Sequence, residues 1–207
     1  MSKERLKAIF APLGLAQEDL QALMQRTLFK RFAPHTLINQ KETCLGFILV
    51  LSGGLRAYIM SENAKEITLF TLKENDICLL CSHCALHSIN YDILLESSQA
   101  TEVLLVPQEL FSSLKDTYPA LSNFALTIIS KRLSQTISTL EQALFKPLVE
   151  RIREFLHENA HNKEIRISHE EIANHLGSSR EVISRILKEM ENKGEIKRAY
   201  KKIILLP

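Results

Sequence analysis

One stretch near residue 180 places acidic, hydroxyl and basic side chains three or four residues apart. On a helix, this spacing turns Glu181, Ser184, Arg185 and Lys188 to one side, and Arg180 extends the set at its N-terminal end. A guanidinium can bond O6 and N7 of guanine together, and a carboxylate can accept a hydrogen bond from N4 of cytosine. The pattern therefore favours a face that reads base edges, with an ordinary solvated charged face as the alternative for one helix alone.

A second group of residues consists of thiols. Cys78, Cys81 and Cys84 follow a C-x2-C-x2-C spacing, and Cys44 is the only other cysteine. Four thiols are the number that ligates a [4Fe–4S] cluster, and this spacing allows one loop to supply three ligands. We therefore expect these four cysteines to be the cofactor-binding and metal-ligating residues of an iron–sulfur cluster.

Other chemistry is open to the same segment. The thiols could form a redox switch, or they could pack in the core, where cysteine without a disulfide is common. Haem could be held through His83 or His87, and zinc through cysteine together with His83. The sequence alone leaves these alternatives open.

The elements that would position the first group begin near residue 167. Ser168 and Glu171 have the spacing of a capping box, which predicts the start of a short helix. Gly177 is expected to end that helix, because glycine adopts the left-handed conformation that commonly follows a helical C-terminus.

A second helix is predicted to follow, capped by the serine at 178 or 179 and running to about Asn192. Apolar residues at i, i+3, i+4 and i+7 give it one buried stripe: Ile183, Ile186, Leu187 and Met190. Two short helices joined by a tight turn are typical of a helix-turn-helix, whose second helix enters the DNA major groove.

The chain after this helix is basic. Residues 193–196, reading KGEI, predict a turn into the segment 197–206, which has the pattern of a hairpin with Lys201 near its tip. Such a hairpin is the wing of a winged helix, and its lysines would face phosphates.

The N-terminal half is predicted to contain two short helices followed by several strands. Two short helices are expected within residues 4–27, and short apolar strands are expected at 47–51, 55–60, 67–72 and 102–106. Several short strands at near-regular spacing predict a roll or barrel.

A long helix is predicted over residues 120–146, which contain no glycine or proline. Its apolar residues recur every three or four positions and form a narrow seam: Leu126, Ile129, Leu133, Ile137, Leu140 and Leu144. We interpret the seam as the contact between two copies of the chain, with a core helix as the alternative.

Composition is that of an ordinary globular protein: 207 residues, 45% hydrophobic and 24% charged, with a net charge of +2. Because this charge is small, the placement of charges must carry the argument for DNA binding. The sequence shows no apolar run of membrane-spanning length and no leader, so we expect a cytoplasmic protein without membrane association. No nucleophile–base pair, phosphate loop or paired-carboxylate motif is present, so we expect no enzyme.

The stretch GSSREVISRILKEMENKGEI resembles the recognition-helix region of the CRP/FNR family of bacterial transcription regulators. The resemblance implies an α+β fold: an N-terminal β-roll of the cyclic-nucleotide-binding jelly-roll type, a long dimerisation helix and a C-terminal winged helix-turn-helix. The corresponding domains would be residues 1–117, 118–146 and 147–207. The implied partners are double-stranded promoter DNA, a second copy of the chain and RNA polymerase.

The resemblance also implies residue roles. Arg185 would recognise guanine and Glu181 cytosine, and the motif Glu181-x-x-Ser184-Arg185 matches the FNR-like branch, which implies a TTGAT-type half-site rather than TGTGA. Arg180, Lys188 and Lys201 would contact the DNA backbone. The expected DNA-binding set is Ser179, Arg180, Glu181, Ser184, Arg185, Lys188 and Lys201.

Cyclic-nucleotide binding is the function that the roll would suggest. Leu80 stands at the position of the family's ribose-binding glutamate, and Tyr91 at that of its phosphate-binding arginine. No cation is left nearby to neutralise a cyclic phosphate, and burying an unpaired phosphate is costly. We therefore expect no cAMP binding.

The expected signal is instead redox, oxygen or nitric oxide, sensed through the cysteines. FNR-type regulators take three cluster ligands from an N-terminal extension, whereas this sequence has no cysteine before Cys44, so a cluster here would be built differently. The alternative is a roll that binds a small molecule or a haem ligand, with structural cysteines.

Overall fold

The computed structural model describes residues 2–38, 46–79, 93–199 and 201–206. The chain divides into two compact units. The first comprises Met1–Ala57 and Phe70–Thr136, and the second comprises Tyr58–Leu69 and Ile137–Pro207. Each unit contains its own cluster of buried apolar side chains.

Short strands in two sheets form the sheet part of the N-terminal half, as the predicted roll requires, and the described pairings of the first sheet are antiparallel. One sheet has the order β1-β7-β2-β5, and a second has the order β4-β3-β6. The strands are β1 (Leu28–Phe32), β2 (Phe47–Ser52), β3 (Leu55–Met60), β4 (Glu66–Leu72), β5 (Ile77–Cys78), β6 (Leu94–Ser97) and β7 (Thr101–Val106).

The turn between β2 and β3 depends on glycine. Gly53 has a φ of 82°, and a Cβ atom there would lie 2.4 Å from the backbone oxygen of Ala100. A side chain would therefore clash as well as strain the backbone, which explains why the predicted glycine turn falls at this point.

Helices pack around the first sheet: α1 (Ser2–Phe10), α2 (Gln17–Arg26) and α3 (Gln108–Thr117), with a short 3₁₀ turn at Ala11–Leu13. Three aromatic rings link them to the strands. Phe47 lies between Phe10 and Phe111, with ring centroids 5.1 Å and 5.6 Å away respectively. All three side chains are fully buried, so this stack forms the centre of the first core.

The predicted long helix is present as α4 (Pro119–Phe145), which has 27 residues and a length of about 40 Å. Its buried face is Leu121, Ala125, Ile128 and Arg132. A second apolar face is exposed and contains the predicted seam apart from the half-buried Ile129: Leu126, Leu133, Ile137, Leu140 and Leu144. Phe145, at the end of the helix, is 81% exposed but lies about 100° around the helix axis from Leu144. Among the described residues, no helix is long and apolar enough to cross a membrane.

The second unit contains three further helices and a small sheet. The helices are α5 (Leu148–Asn159), α6 (His169–Leu176) and α7 (Arg180–Asn192). The sheet has the order β8-β10-β9 and is built from β8 (Glu164–Ile165), β9 (Ile196–Ala199) and β10 (Lys202–Leu205). The hairpin β9–β10 is the predicted wing, whereas the two-residue strand β8 was not predicted from the sequence.

Candidate nucleic-acid interface

The first helix of the helix-turn-helix begins with the predicted capping box. The Ser168 hydroxyl oxygen accepts a hydrogen bond from the Glu171 backbone N–H at 3.1 Å, and the Glu171 carboxylate accepts one from the Ser168 N–H at 2.8 Å. Gly177 ends the helix in the left-handed conformation, with a φ of 71°. Both boundaries of α6 therefore follow from local sequence signals.

The turn after α6, at Gly177, is in contact with a side chain from a distant part of the sequence. A Cβ atom added to Gly177 would lie 3.1 Å from Cδ1 of Ile67. Ile67 belongs to the segment Tyr58–Leu69, which forms part of the second unit. The side chain of Ile67 thus covers the glycine that joins the two helices.

Helix α7 presents two chemically distinct faces. Ser179 caps it, accepting a hydrogen bond from the Val182 backbone N–H at 3.4 Å. Its inner face is buried through Ile183, Leu187 and Met190, and Ile186 is half-buried beside them. The outer face carries exposed charged side chains at the predicted positions: Arg180, Glu181, Arg185 and Lys188.

Ser184 differs from the rest of the predicted polar set. It is half-buried, and its hydroxyl oxygen lies 2.8 Å from Nδ1 of His169, the first residue of α6. This role of His169 could not be predicted from the sequence, because a lone histidine at a helix start gives no signal of such a contact. The structure therefore adds one polar partner to the recognition face.

Glu181 is held in its charged form by its immediate surroundings. Hydrogen bonds from its own backbone N–H and from the Ser179 hydroxyl lower the pKa of this carboxyl, and the positive charge of Arg180 acts in the same direction. A carboxylate with a lowered pKa stays ionised at neutral pH and offers only acceptor oxygens. Glu181 is therefore suited to accept a hydrogen bond from an amino group.

The C-terminal end of α6 is hydrogen-bonded by a residue that could not be predicted from the sequence. Arg151 of α5 is 9% exposed and donates a 2.7 Å hydrogen bond to the backbone carbonyl of Leu176, the last residue of α6. Burial lowers the pKa of Arg151. Nothing at the sequence level distinguishes this arginine from a surface residue of an amphipathic helix.

Some basic side chains of the second unit form ion pairs and others do not. Away from the outer face of α7, Arg198 pairs with Glu191 at 2.7 Å, Lys202 pairs with Glu164 at 2.6 Å, and Arg153 pairs with Glu195 at 3.0 Å. By contrast, the predicted DNA-contacting cations form no ion pair with any residue in the described ranges: Arg180, Arg185, Lys188 and Lys201. Cations that are not held in an ion pair remain available to an external anion.

A cleft of about 480 Å³ connects the start of α6, the start of α7 and the wing. Its lining includes His169, Arg180, Lys201 and Lys202. Glu170 also lines the cleft, and Lys202 is paired with Glu164. Arg180 and Lys201 are therefore the lining cations without an ion pair to a described residue, and they could contact a phosphate backbone.

The predicted cysteine site is described at one position. Cys78 lies at the end of β5 and is 1% exposed. Next to it, Arg132 of α4 donates a 2.7 Å hydrogen bond to the carbonyl of Ile77. The other candidates for ligand and effector binding lie outside the described residues: Cys44, Leu80, Cys81, His83, Cys84, His87 and Tyr91.

Comparison with known proteins supports the assignment of the second unit. A Crp-like helix-turn-helix domain model matches residues 150–207. The transcriptional activator protein FnrA of Stutzerimonas stutzeri is 25% identical over 97% of this chain and 86% of its own length. The HTH-type transcriptional regulator Cmr of Mycobacterium tuberculosis is 24% identical over 86% of this chain and 72% of its own length.

Solved structures resemble the whole chain. The global regulator CLP of Xanthomonas campestris superposes with a TM-score of 0.76 over 93% of this chain and all of its own; at 20% identity, this shows the fold alone. A transcriptional regulator of the Crp/Fnr family from Eubacterium rectale is 32% identical, with a TM-score of 0.89 over 93% of this chain and 91% of its own. The winged helix-turn-helix, the long helix and this similarity along almost the whole length show that the chain belongs to the CRP/FNR family of transcription regulators.

Proposed function

We propose that the chain regulates transcription as a homodimer that binds an FNR-like palindrome with TTGAT-type half-sites. The observation that carries this proposal is the outer face of α7, where Arg180, Glu181, Arg185 and Lys188 are exposed together. Arg153, Arg198 and Lys202 of the same unit are paired with acids, whereas Arg180, Arg185 and Lys188 on this face form no ion pair with a described residue.

The chemistry of the face supports distinct roles for two residues. Arg185 carries the planar donor fork that can bond both acceptors on guanine, and Glu181 carries an ionised acceptor for the amino group of cytosine. They lie four residues apart, or about one helical turn, so they can reach neighbouring base pairs in one groove. Ser179, Arg180, Lys188 and Lys201 would contact the DNA backbone.

The exposed seam on α4 supports the dimer. Five aliphatic side chains project from one side of the helix, and each of them is at least 49% exposed. An apolar stripe of this length is typical of a helix that packs against a symmetry mate. A two-fold dimer would present two copies of α7 about one DNA turn apart, as a palindrome requires. RNA polymerase is the proposed further partner at the promoter.

The test is a binding assay by fluorescence anisotropy on three duplexes: a TTGAT palindrome, a TGTGA palindrome and a scrambled sequence. We expect the TTGAT palindrome to bind most tightly and Glu181→Gln to reduce its advantage. Glu189→Gln is the matched control, because Glu189 is an exposed acid on the same helix but outside the predicted contact set. Equal affinity for the two palindromes would refute the base assignment.

We further propose that the sensor part responds to redox state, oxygen or nitric oxide through its cysteines rather than to cAMP. Cys78 is shielded from water, and a shielded sulfur is suited to holding an oxidation-sensitive group such as an iron–sulfur cluster, with Cys44, Cys81 and Cys84 as the further candidate ligands. The hydrogen bond from Arg132 to the Ile77 carbonyl gives a route from this strand to α4, because a shift of the strand would move a residue of the long helix.

An absorption spectrum of protein purified without oxygen tests the sensing proposal. A broad band near about 400 nm would support a cluster, whereas a sharp Soret band would support haem instead. Cys81→Ser should remove the broad band. A colourless protein that still binds DNA in a signal-dependent manner would refute both cofactors and favour a small-molecule effector in the roll.

A further inference from the structure

The contact between His169 and Ser184 joins the two helices of the helix-turn-helix at the recognition face. Nδ1 of His169 and the Ser184 hydroxyl oxygen are 2.8 Å apart, and both side chains are half-buried. Ser184 occupies the same side of α7 as Glu181 and Arg185, and belongs to the predicted DNA-binding set. The partner of this hydroxyl therefore affects whether the recognition helix can donate a hydrogen bond to a base or accept one from it.

The direction of the hydrogen bond depends on the proton on Nδ1. When the imidazole is neutral and protonated only at Nε2, Nδ1 accepts the Ser184 hydroxyl proton, and the serine oxygen presents only lone pairs to the groove. When the imidazole is protonated at both nitrogens, Nδ1–H donates to the serine oxygen. The hydroxyl proton is then free to rotate toward an acceptor on a base.

The surroundings of His169 make both the neutral and the protonated imidazole accessible. Burial and the charges of Arg198 and Arg180 lower the pKa of His169, so the neutral form dominates in the unbound protein at neutral pH. A DNA phosphate entering the adjacent cleft would act in the opposite direction, because a negative charge favours the imidazolium. The charged groups near His169 on the packed elements are Glu170 and Glu171 of α6, Arg180 of α7, Arg198 of β9 and, on the wing, Lys201 and Lys202.

We propose that His169 is a specificity-determining positioning residue, which acts through Ser184 by setting whether that hydroxyl is a hydrogen-bond donor or acceptor toward one base pair. This inference rests on the proposed DNA-binding function. The neutral form protonated at Nε2 favours a base that presents an amino donor in the major groove, namely adenine or cytosine. The protonated form favours a base that presents only acceptors there, namely guanine, or thymine through O4. Protonation takes up one proton from solvent and breaks no covalent bond.

The experiment measures base preference as a function of pH. Dissociation constants are determined on palindromic duplexes in which each base pair of the half-site is replaced, symmetrically, by each alternative. For each base pair, the dissociation constant of a duplex with a replaced base pair is divided by that of the original palindrome. This ratio is compared between about pH 5.5 and about pH 8, which bracket the titration range of histidine. The ratio cancels any general effect of pH on phosphate binding or folding.

We expect the ratio to change by about three- to tenfold at one base pair and to stay constant at the others, as for the gain or loss of one hydrogen bond. His169→Gln should keep sequence-specific binding but abolish this pH dependence, because glutamine does not titrate. Ser184→Ala should abolish the preference at that base pair at both pH values. His157→Gln is the matched control, an exposed histidine on α5, and should behave as the wild-type protein.

The outcomes separate the inference from the proposed function. If the wild-type protein binds no duplex in preference to another, both fail. If it binds the TTGAT palindrome specifically but its base preferences are the same at both pH values, or if His169→Gln retains their pH dependence, the inference is overturned and the proposed function stands. A circular dichroism melt of each variant checks that a lost preference does not reflect unfolding.

Discussion

The guanidinium of Arg151 donates a 2.7 Å hydrogen bond to the backbone carbonyl of Leu176, which links α5 to the C-terminal end of α6 across 25 residues of sequence. The last carbonyls of a helix have no partner within it, and a cation there also interacts favourably with the helix dipole. Arg151 therefore satisfies a group at the point where the chain leaves α6 for the recognition helix. Its Nε atom has no hydrogen-bond partner in the described chain, so the burial of Arg151 is only partly compensated.

Replacing Arg151 by methionine tests this contact. Arg151→Met keeps an unbranched apolar stem but leaves the Leu176 carbonyl without its partner, so we expect the free energy of unfolding to fall by about 1–3 kcal/mol. Urea denaturation of both proteins measures the difference. Arg166→Met is the control, an exposed arginine that should change stability by less than about 0.5 kcal/mol. An unchanged stability of Arg151→Met would show that water satisfies the carbonyl equally well.

The capping box of α6 gives a second prediction. Ser168→Ala removes the hydroxyl that accepts from the Glu171 N–H, and we expect a loss of about 1 kcal/mol in the free energy of unfolding. Ser178→Ala is the matched control, because Ser179 rather than Ser178 caps the next helix. A larger loss in Ser178→Ala than in Ser168→Ala would contradict the assignment of the caps.

The exposed seam of α4 predicts the oligomeric state. The double substitution Leu133→Glu and Leu140→Glu places two like charges in the proposed interface, so sedimentation velocity should report a monomer. Affinity for a palindrome should then fall by about 10²–10⁴-fold, because two linked recognition helices become two independent ones. Ser138→Glu adds a charge to an exposed position on another side of the helix and should leave the dimer intact.

The ion network around Asp76 predicts a dependence of stability on pH. Burial favours the neutral form, but hydrogen bonds from the Lys73 backbone N–H and from Lys131, together with the charge of Arg132, lower the pKa of Asp76 below its usual 3.8. A carboxyl with a lowered folded-state pKa stabilises the protein above the unfolded-state pKa, and this contribution is lost as the pH falls through the folded-state value.

Asp76→Asn should therefore be less stable than the wild-type protein at neutral pH, by about 1 kcal/mol after allowance for partial exposure. The difference should shrink as the pH falls below 3.8 and through the lowered folded-state pKa, because the wild-type carboxyl then becomes protonated. Thermal melts at several pH values measure this. Asp116→Asn, at a carboxylate that is 71% exposed, should show no such trend. A constant difference at all pH values would contradict the electrostatic cause.

The effects of substitutions on DNA binding should distinguish base contacts from backbone contacts. Arg185→Ala should cost about 1–3 kcal/mol of binding free energy and relax the preference for TTGAT, whereas Lys201→Ala should weaken binding to all sequences alike and reduce the salt slope by about one. Titrations at several salt concentrations on specific and scrambled duplexes distinguish the two. Lys193→Ala, at an exposed lysine outside the predicted set, serves as control. A uniform loss for Arg185→Ala would show that it contacts phosphate.

Much of the helix-turn-helix could be predicted because its signals are local. Ser168 with Glu171, the left-handed Gly177 and the apolar stripe through Ile183 each act within a few residues, and each is present in the structure. The length of α4 was predictable for the same reason, since no helix-breaking residue interrupts it.

Tertiary contacts could not be predicted in this way. Arg151 meets Leu176, and His169 meets Ser184, across 25 and 15 residues of sequence, and side-chain type does not reveal such partners. The strand β8 was missed because two residues carry no periodicity, and its pairing with β10 depends on the packing of the unit. The polar face of α7 was foreseen, but the half-burial of Ser184 within it was not.

The second unit is discontinuous along the chain, since Tyr58–Leu69 joins it from within the N-terminal half. A single proteolytic cut cannot separate this unit from the first, because residues 70–136 of the first unit lie between its two segments. A recombinant fragment that starts at 137 would lack Ile67 and so leave Gly177 uncovered at the bend between α6 and α7. A fragment that contains the C-terminal region should therefore also contain β3 and β4.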